Sequence, residues 1–219
     1  MKKIKLILFD IDNTLVYGER ASKYYKQYPR LLEKTLSVCL GVPLESAQEI
    51  ANEHRRLFGG RGEQALTTYA LDASAWHDAM CSLDPNASIK PLPDVQELLC
   101  ALRERGYLLG AITDGPDTQA ERILNAAGID KNIFSLLIGW KKYEEMPKGG
   151  RSDIYKKVIA DYKLDPGEIL MVGDSLGADI IPAHACGINV LHISEDAHGE
   201  FPTIKSIGVL LNYLNKNDQ

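Results

Sequence analysis

Two carboxylates, Asp10 and Asp12, lie two residues apart directly after a short apolar segment near the start of the chain. That segment, residues 4–9, is mostly apolar and β-prone, which predicts a strand buried inside a sheet. In open α/β sheets ligands bind beyond the carboxyl ends of the strands, and side chains i and i+2 point the same way. The two carboxylates can therefore converge on one bound group, and two anions so close need a cation or a shared proton. An ordinary polar turn is the alternative interpretation, since Asp and Asn are common turn residues.

Further polar residues follow two later predicted strands, and a lysine lies between them in the chain. They are Thr113, Asp114 and Gly115 after the strand at 108–113, Lys148 in a glycine-rich loop, and Gly173, Asp174 and Asp179 after the strand at 169–172. Each cluster has an ordinary explanation as a turn, a solvated lysine or a helix N-cap. Their joint occurrence at strand ends or just before a helix is much less expected by chance, and it indicates one shared site.

Two patterns of hydrophobicity divide the chain into the elements that position these residues. Residues 17–91 show no convincing strand, but their apolar residues recur at helical spacing. The four helices predicted there span residues 21–40, 44–58, 63–71 and 74–83. After Pro91-Leu92-Pro93 strands and helices alternate up to a final helix at 203–214, which predicts an α/β fold with a parallel sheet and helices on both faces. We therefore predict a core domain of residues 1–16 and 92–219, with residues 17–91 as an inserted all-helical domain.

Composition limits the partners and the compartment. The formal net charge is −5 and 45% of the residues are hydrophobic, which is typical of a soluble globular protein and disfavours a nucleic-acid polymer as partner. No apolar run approaches the roughly 20 residues that cross a bilayer. Asp10 and Asp12 interrupt the apolar segment after the basic N-terminus, so no signal peptide is predicted. The four cysteines form no CxxC pair, which favours reduced thiols. We predict a cytoplasmic protein with no membrane partner.

The combination of motifs resembles the haloacid dehalogenase (HAD) superfamily of phosphatases and related hydrolases. The four family motifs are placed at residues 10–14, at Thr113 with Asp114 and Gly115, at Lys148, and at Gly173 and Asp174 with Asp179. The inserted helices resemble the C1 cap of subfamily I, and the helix at 44–58 before a glycine loop resembles pyrimidine 5′-nucleotidase-like members. Lys148 departs from the family pattern because Gly149 follows it in place of proline, and Lys141 and Lys142 are rivals for its role.

The resemblance implies a HAD-like Rossmannoid core and a role for each motif residue. Asp10 is the expected nucleophile, forming an aspartyl-phosphate, and Asp12 is the expected general acid and base. Mg²⁺ is the expected cofactor, held by Asp10, Asp174 and the backbone carbonyl of Asp12, with Asp179 joined through a water or just outside direct coordination. The groups expected to hold the phosphoryl oxygens are Thr113, backbone N–H groups near Asp114 and Gly115, and Lys148.

Two features of the helical insertion are candidates for contact with the leaving group. Glycines flank Arg61, so a flexible loop can bring its guanidinium over the site to hold an anionic or polar group. A plain helix–helix turn with a solvated arginine is the alternative. Tyr24, Tyr25 and Tyr28 can stack on a base, but their spacing is also that of an amphipathic helix packing its rings, which we favour.

The predicted function is Mg²⁺-dependent hydrolysis of a small phosphorylated metabolite, such as a nucleoside monophosphate or a phosphoglycolate-like acid, by a monomer or homodimer. A 2-haloacid dehalogenase is one alternative, which Asp12 disfavours because halide displacement needs no leaving-group acid. A non-catalytic phosphoacceptor or binding protein is another. The motif order is wrong for a response-regulator receiver, and no motif acid is missing for a silent scaffold.

Overall fold

The computed structural model describes residues 3–58, 62–140, 151–196 and 199–217. Its strands are β1 (Leu6–Asp10), β2 (Leu108–Pro116), β3 (Leu136–Trp140), β4 (Ile169–Gly173), β5 (Asn189–Ile193) and β6 (Thr203–Ile204). They form one sheet with the order β3-β2-β1-β4-β5-β6, and every neighbouring pair is parallel. The predicted α/β fold with a parallel sheet is confirmed.

Helices precede or follow each strand. They are α1 (Glu19–Tyr25), α2 (Tyr28–Leu40), α3 (Leu44–Phe58), α4 (Gly62–Thr68), α5 (Ser74–Ser82), α6 (Pro93–Glu104), α7 (Asp117–Ala126), α8 (Arg151–Tyr162), α9 (Ile181–Ala185) and α10 (Leu210–Asn217). Helices α1 to α5 all lie between β1 and α6 in the chain. Within the described part of the chain, no helix combines the length and the apolarity needed to cross a bilayer.

Strand β1 lies in the middle of the sheet, between β2 and β4. Phe9 is in register with Ala111 of β2 and with Val172 of β4, so the three strands end at one edge of the sheet. The chain adds β2 and β3 on one side of β1, and β4 to β6 on the other. Ligands of open parallel sheets bind where the strand order reverses in this way. The topology therefore places a site beyond Asp10.

Helices cover both faces of the sheet, as predicted. On one face, Ile7 and Phe9 of β1 belong to a buried cluster with Leu98 of α6. On the other face, Leu8 of β1 belongs to a cluster with Ile154 of α8. Every residue of β1 is buried, which explains why its sequence is a continuous apolar run rather than an alternation of apolar and polar residues.

The inserted helices have a hydrophobic cluster of their own, which includes Leu36 of α2 and Trp76 of α5. Tyr24 of α1, by contrast, is fully buried in the larger cluster that also contains residues of β1. We call α1 to α5 the cap. The assignment of residues 17–91 as a separate domain stays a prediction.

Hydrogen bonds join core helix α7 to the cap. The side-chain amide of Gln119 donates to the hydroxyl of Tyr24 and to the carbonyl of Leu83, the latter at 3.2 Å. Nη1 of Arg122 donates to the carbonyl of Cys81 at 2.8 Å and to Oε1 of Gln119 at 2.7 Å. Gln119 is almost fully buried, so these bonds satisfy polar groups that would otherwise be costly to bury.

Residues 21–40 form two helices rather than the single predicted one. Helix α1 ends at Tyr25, and α2 begins at Tyr28 with Pro29 in its first turn. Proline has no N–H, and its ring clashes with the carbonyl four residues earlier, so a continuous helix through this point is disfavoured. The first turn of a new helix tolerates proline because its N–H groups have no partner within the helix.

The predicted final helix at 203–214 is wrong in its first part. Thr203 and Ile204 form β6, in register with His192 and Ile193 of β5, and α10 begins only at Leu210. Side chains branched at Cβ suit a strand. Pairing here covers backbone groups that an edge strand would leave open.

Candidate active site

Asp10 and Asp12 form the first part of the site, at the end of β1. Asp10 is the last residue of the strand and is 7% exposed. After Asp12 the chain turns at Asn13, whose φ is 60° and whose N–H donates to the carbonyl of Val16 at 3.0 Å. Asn is one of the few residues that adopt this left-handed conformation at low cost. Both carboxylates line the same cleft.

Asp174 and Asp179 follow β4, beside the end of β1. The N–H of Ser175 donates to Oδ2 of Asp179 at 3.1 Å, and the carbonyl of Asp174 lies 2.9 Å from Nε2 of His192. A β-carbon at Gly173 would lie 2.4 Å from Oδ2 of Asp179. The glycine of the predicted motif is therefore required by packing, because a larger residue would collide with this carboxylate.

Asp10, Asp174 and Asp179 each offer a carboxylate oxygen, and these oxygens lie within 4.8 Å of one another. Burial raises the pKa of Asp174 to about 6, and burial also raises the pKa of Asp10 and of Asp179. Such a set of hard oxygen donors fits a divalent cation such as Mg²⁺, which relieves repulsion among the carboxylates. Asp12 lines the same cleft, but its carboxylate is outside this group of three.

Arg151, the first residue of α8, is a functional residue that the sequence analysis missed. Its Nε lies 2.6 Å from Oδ1 of Asp114, its Nη2 3.3 Å from Oδ1 of Asp10, and its Nη1 3.2 Å from Oδ1 of Asp179. Burial lowers the pKa of Arg151, but the three carboxylates outweigh it and raise that pKa well above its usual range. The guanidinium is therefore charged, and its ion pairs connect acids that lie at or just after the ends of β1, β2 and β4.

The position of Arg151 gives a weak signal in the sequence, since it is the cation at the start of the next described helix after β3. A guanidinium has five donors in one plane, so it can contact three acids at once, whereas an ammonium acts as a point charge. Lys148, which the sequence analysis chose as the cation of the site, lies outside the described residues. The same holds for its rivals Lys141 and Lys142, and for Arg61 of the cap loop.

Thr113 and Gly115 lie at the end of β2, next to the end of β1. The hydroxyl of Thr113 is buried and accepts a hydrogen bond from the N–H of Gly115 at 3.0 Å, so its own proton remains available to an acceptor. A β-carbon at Gly115 would lie 3.2 Å from Cε of Met80 in α5. The cap therefore packs closely against this strand end.

Asp12 faces a residue of the cap. Burial raises the pKa of Asp12 to about 6, the hydroxyl of Tyr25 acts in the opposite direction, and the charge of Asp114 adds to the rise. The carboxylate and the Tyr25 hydroxyl are close, but they form no well-directed hydrogen bond. A carboxyl group with a pKa near 6 exchanges its proton readily near neutral pH, which suits a general acid and base.

The acids and Arg151 line one side of a cleft of about 570 Å³, and the cap forms the other side. The cap residues that line it are Tyr25, Tyr28, Pro29, Leu32, Arg55 and Trp76. The rings of Tyr24, Tyr25 and Tyr28 pack edge to face, with centroids 5.4 to 5.8 Å apart. The favoured interpretation, an amphipathic helix packing its rings, agrees with this geometry in the packing of the rings but not in the single helix, since Tyr24 and Tyr25 belong to α1 and Tyr28 to α2. Tyr25 and Tyr28 also line the cleft.

The family model described as haloacid dehalogenase-like hydrolase matches residues 4–187. The chain therefore belongs to the haloacid dehalogenase-like hydrolase family. It is 31% identical to a glyceraldehyde 3-phosphate phosphatase of Pyrococcus abyssi, over 86% of this chain and 80% of the relative. It is 28% identical to a phosphoglycolate phosphatase of Pasteurella multocida, over 94% and 92% of the two chains.

A solved structure is also similar over nearly the whole chain. The crystal structure of a HAD phosphatase from Thermococcus onnurineus superposes with a TM-score of 0.68 at 25% identity, covering 96% of this chain and 98% of that one. The resemblance inferred from the four motifs is thus confirmed for the family and for the fold.

Proposed function

We propose that this chain is a Mg²⁺-dependent phosphatase that hydrolyses a small phosphorylated metabolite through an aspartyl-phosphate on Asp10. The observation that carries the proposal is the position of the Asp10 carboxylate. It lies at a strand end, 3.3 Å from the guanidinium of Arg151, in a cleft shared with Asp12. The relatives from Pyrococcus and Pasteurella are named phosphatases, which supports the reaction type.

The reaction has two displacement steps at phosphorus. In the first, a carboxylate oxygen of Asp10 attacks phosphorus, the bond to the leaving oxygen breaks, and Asp12 gives its proton to that oxygen. In the second, a water oxygen attacks the phosphoryl group while Asp12 takes a proton from that water. The bond from phosphorus to Asp10 then breaks and inorganic phosphate leaves. Position and charge are what the protein supplies to such steps.

A cleft lined by several carboxylates can hold a phosphoryl group only if cations are also present. Arg151 is charged and lies against Asp10, so we assign it to stabilise the charge that develops on the phosphoryl oxygens. The Thr113 hydroxyl, the N–H groups near Asp114 and Gly115, and Lys148 are proposed to share this role. Arg61 is proposed to contact the leaving group.

Mg²⁺ is the cofactor that we propose, with Asp10, Asp174 and the backbone carbonyl of Asp12 as ligands and Asp179 joined directly or through water. The proposal is supported by the close approach of three carboxylates whose pKa values are raised by burial. When bound, the ion offsets both their repulsion and the charge of the phosphoryl group.

The names of the relatives guide the choice of substrate. One is named for phosphoglycolate and one for glyceraldehyde 3-phosphate, so short phosphorylated metabolites are our first candidates and nucleoside monophosphates the second. A haloacid substrate is disfavoured because Asp12 supplies an acid that halide displacement does not use. We propose a cytoplasmic monomer or homodimer, in keeping with four free cysteines.

The test is phosphate release from p-nitrophenyl phosphate and from a panel of phosphorylated metabolites, with Mg²⁺ and with EDTA. We expect metal-dependent turnover that falls by about 10⁴-fold or more in Asp10→Asn. Asp161→Asn, an exposed change on α8, is the matched control and should keep full activity. Undiminished turnover in Asp10→Asn would refute the nucleophile, and a stable phosphorylated protein without turnover would identify a phosphoacceptor instead.

A further inference from the structure

The cap side of the cleft is a wall of aromatic rings that hold one another in place. Tyr25 and Tyr28 pack at 5.8 Å between centroids with an angle of 84° between the rings, and Tyr28 packs on Trp76 at 6.2 Å and 83°. Edge-to-face pairs of this kind engage the ring faces. The wall is therefore already ordered before any ligand binds, and part of each ring face is covered by a neighbouring ring and is closed to stacking by a ligand.

Two residues of the same wall, Tyr25 and Tyr28, line the cleft and carry buried hydroxyl groups. The hydroxyls of Tyr25 and Tyr28 are shielded from water, and neither makes a well-directed hydrogen bond. The Tyr25 hydroxyl is near Asp12, and the Tyr28 hydroxyl is near that of Tyr24. Burial raises the pKa of both tyrosines well above the usual range, so both remain protonated donors. Oxygen atoms of a ligand would complete their hydrogen bonding.

Two adjacent arginines of α3 differ in whether their charge is paired. Arg56 pairs with Glu53 at 2.6 Å and does not line the cleft. Arg55 does line the cleft, and among the described side chains it contacts the neutral Asn52 at 3.2 Å and forms no ion pair. Its charge is thus available to an anion that enters from the cap side.

The rest of the cleft lining explains why that charge matters. Five aspartates line the cleft together with Arg151, and Arg151 is already engaged by three of them. A substrate with a second anionic group is repelled by this core side unless the group faces a cation elsewhere. A single guanidinium matches one carboxylate in charge and can bind it in a bidentate manner.

We propose, resting on the phosphatase function above, that the leaving group is a short hydroxy acid whose carboxylate is bound by Arg55 and accepts hydrogen bonds from the tyrosine hydroxyls of the cap. The substrate is then a phosphorylated two- to four-carbon hydroxy acid, with its phosphate against the core and its carboxylate against the cap. Arg55 is a specificity-determining residue, whereas Asp10 and Asp12 perform the chemistry.

The experiment compares 2-phosphoglycolate with 2-hydroxyethyl phosphate, which differ by a carboxylate in place of a hydroxymethyl group. Wild-type protein with Mg²⁺ is expected to prefer phosphoglycolate by about tenfold or more in kcat/KM. Arg55→Met is expected to lower that preference by about tenfold, mainly through the KM for phosphoglycolate. Arg56→Met removes the neighbouring charge outside the cleft, and it should keep the wild-type preference.

Equal kcat/KM for the two esters in wild-type protein, or a preference that survives Arg55→Met, would overturn the assignment of Arg55. Failure of the phosphatase function has a different signature, because then none of these esters and no p-nitrophenyl phosphate is hydrolysed. A calorimetric binding measurement on the Asp10→Asn variant keeps the carboxylate proposal testable in that event. Phosphoglycolate should bind more tightly than 2-hydroxyethyl phosphate, and Arg55→Met should remove the difference.

Discussion

The two sides of the cleft are built on different physical principles. On the core side, ion pairs and hydrogen bonds fix the side chains. Arg151 contacts three carboxylates, and the N–H of Ser175 donates to Asp179. On the cap side, aromatic rings hold one another, while the hydroxyls of Tyr25 and Tyr28 lack well-directed partners. The core side is thus ordered by ion pairs but keeps an excess of negative charge for a cation to balance, whereas the cap side leaves hydroxyl groups for a ligand to satisfy.

This difference indicates a division of labour. The core acids lie at or follow the ends of neighbouring strands, whose register is set by the sheet, and Arg151 reaches them from the start of α8. The cap groups come from four helices and reach the cleft only through tertiary packing. We therefore propose that the core side performs the reaction chemistry and that the cap side, whose position depends on packing, sets the choice of substrate. Changes on the core side should alter kcat, and changes on the cap side should alter KM.

After Asp10→Asn, the largest effect is expected from Arg151→Met. We expect kcat to fall by about 10³-fold, because the phosphoryl charge loses its guanidinium partner. Buried acids are left without compensation, so the free energy of unfolding of the metal-free protein at pH 7 should fall by about 3 kcal/mol. Phosphate release and urea unfolding measure the two losses. Arg151→Lys should lie between the wild type and Arg151→Met, and a fully active Arg151→Met would remove Arg151 from the core machinery.

A smaller and substrate-dependent loss is expected from Asp12→Asn. Alkyl phosphates need a proton on the leaving oxygen, so kcat for them should fall by about 10²- to 10³-fold. p-Nitrophenolate leaves without protonation, so the loss in the first step should be much smaller for its ester. A comparison of single-turnover rates on the two esters measures this. Equal losses on both would show that Asp12 acts by position rather than as an acid.

The pH dependence of stability provides a third test of the core side. The pKa values of Asp12 and Asp174 are raised to about 6 in the folded protein, mainly by burial, so the folded state binds more protons than the unfolded state between about pH 4 and 6. Their contribution to stability is therefore present below the unfolded pKa and is lost as the pH rises through about 6. For the protein in EDTA, we expect the free energy of unfolding to fall by about 2 to 3 kcal/mol between pH 5 and 7.

Asp174→Asn is the control for that titration, because it removes one of the carboxyl groups whose pKa is raised and should flatten the slope. Mg²⁺ should restore stability at pH 7 more than at pH 5, since protons compete with the ion for the same carboxylates. A slope of the opposite sign in EDTA would contradict the raised pKa values.

The smallest effect is expected on the cap side, from Tyr28→Phe. This change removes one buried hydroxyl and keeps the ring that packs on Trp76. The KM of the best substrate should rise by about tenfold, the lower end of the value of one hydrogen bond to a carboxylate, with kcat nearly constant. Steady-state kinetics on the best substrate is the measurement. A fall in kcat without a change in KM would contradict the proposal that the cap side governs substrate binding and the core side the reaction.

Much of the fold could be predicted because local signals agree with it. The alternation of strands and helices after Pro93 predicts the parallel sheet, and the ends of β1, β2 and β4 carry the polar groups that were expected there. The break before Pro29 was missed because apolar spacing continues across it. Strand β6 was missed because it is two residues long and is stabilised by pairing with β5.

The site could be predicted only where a residue is tied to a strand end. Asp10, Asp12, Thr113 and Asp174 are fixed in this way. Arg151 is 141 residues away from Asp10 in the chain, yet the two side chains interact directly, and no local pattern shows which cation reaches the acids. The proposed role of Arg55 depends on how the packing of the cap helices places α3 beside the cleft, which is likewise absent from local sequence.

Helix α7 connects the two sides mechanically. It begins at the residue that directly follows β2. Within its first two turns, Gln119 and Arg122 donate hydrogen bonds to carbonyl and hydroxyl groups of the cap. If the cap moves away from the core to admit a substrate, these hydrogen bonds must therefore break or α7 must move with the cap. Because α7 follows directly on β2, a movement of this helix would also displace the end of β2 that carries Thr113, so we expect opening of the cap to be coupled to the proposed phosphate-binding strand end.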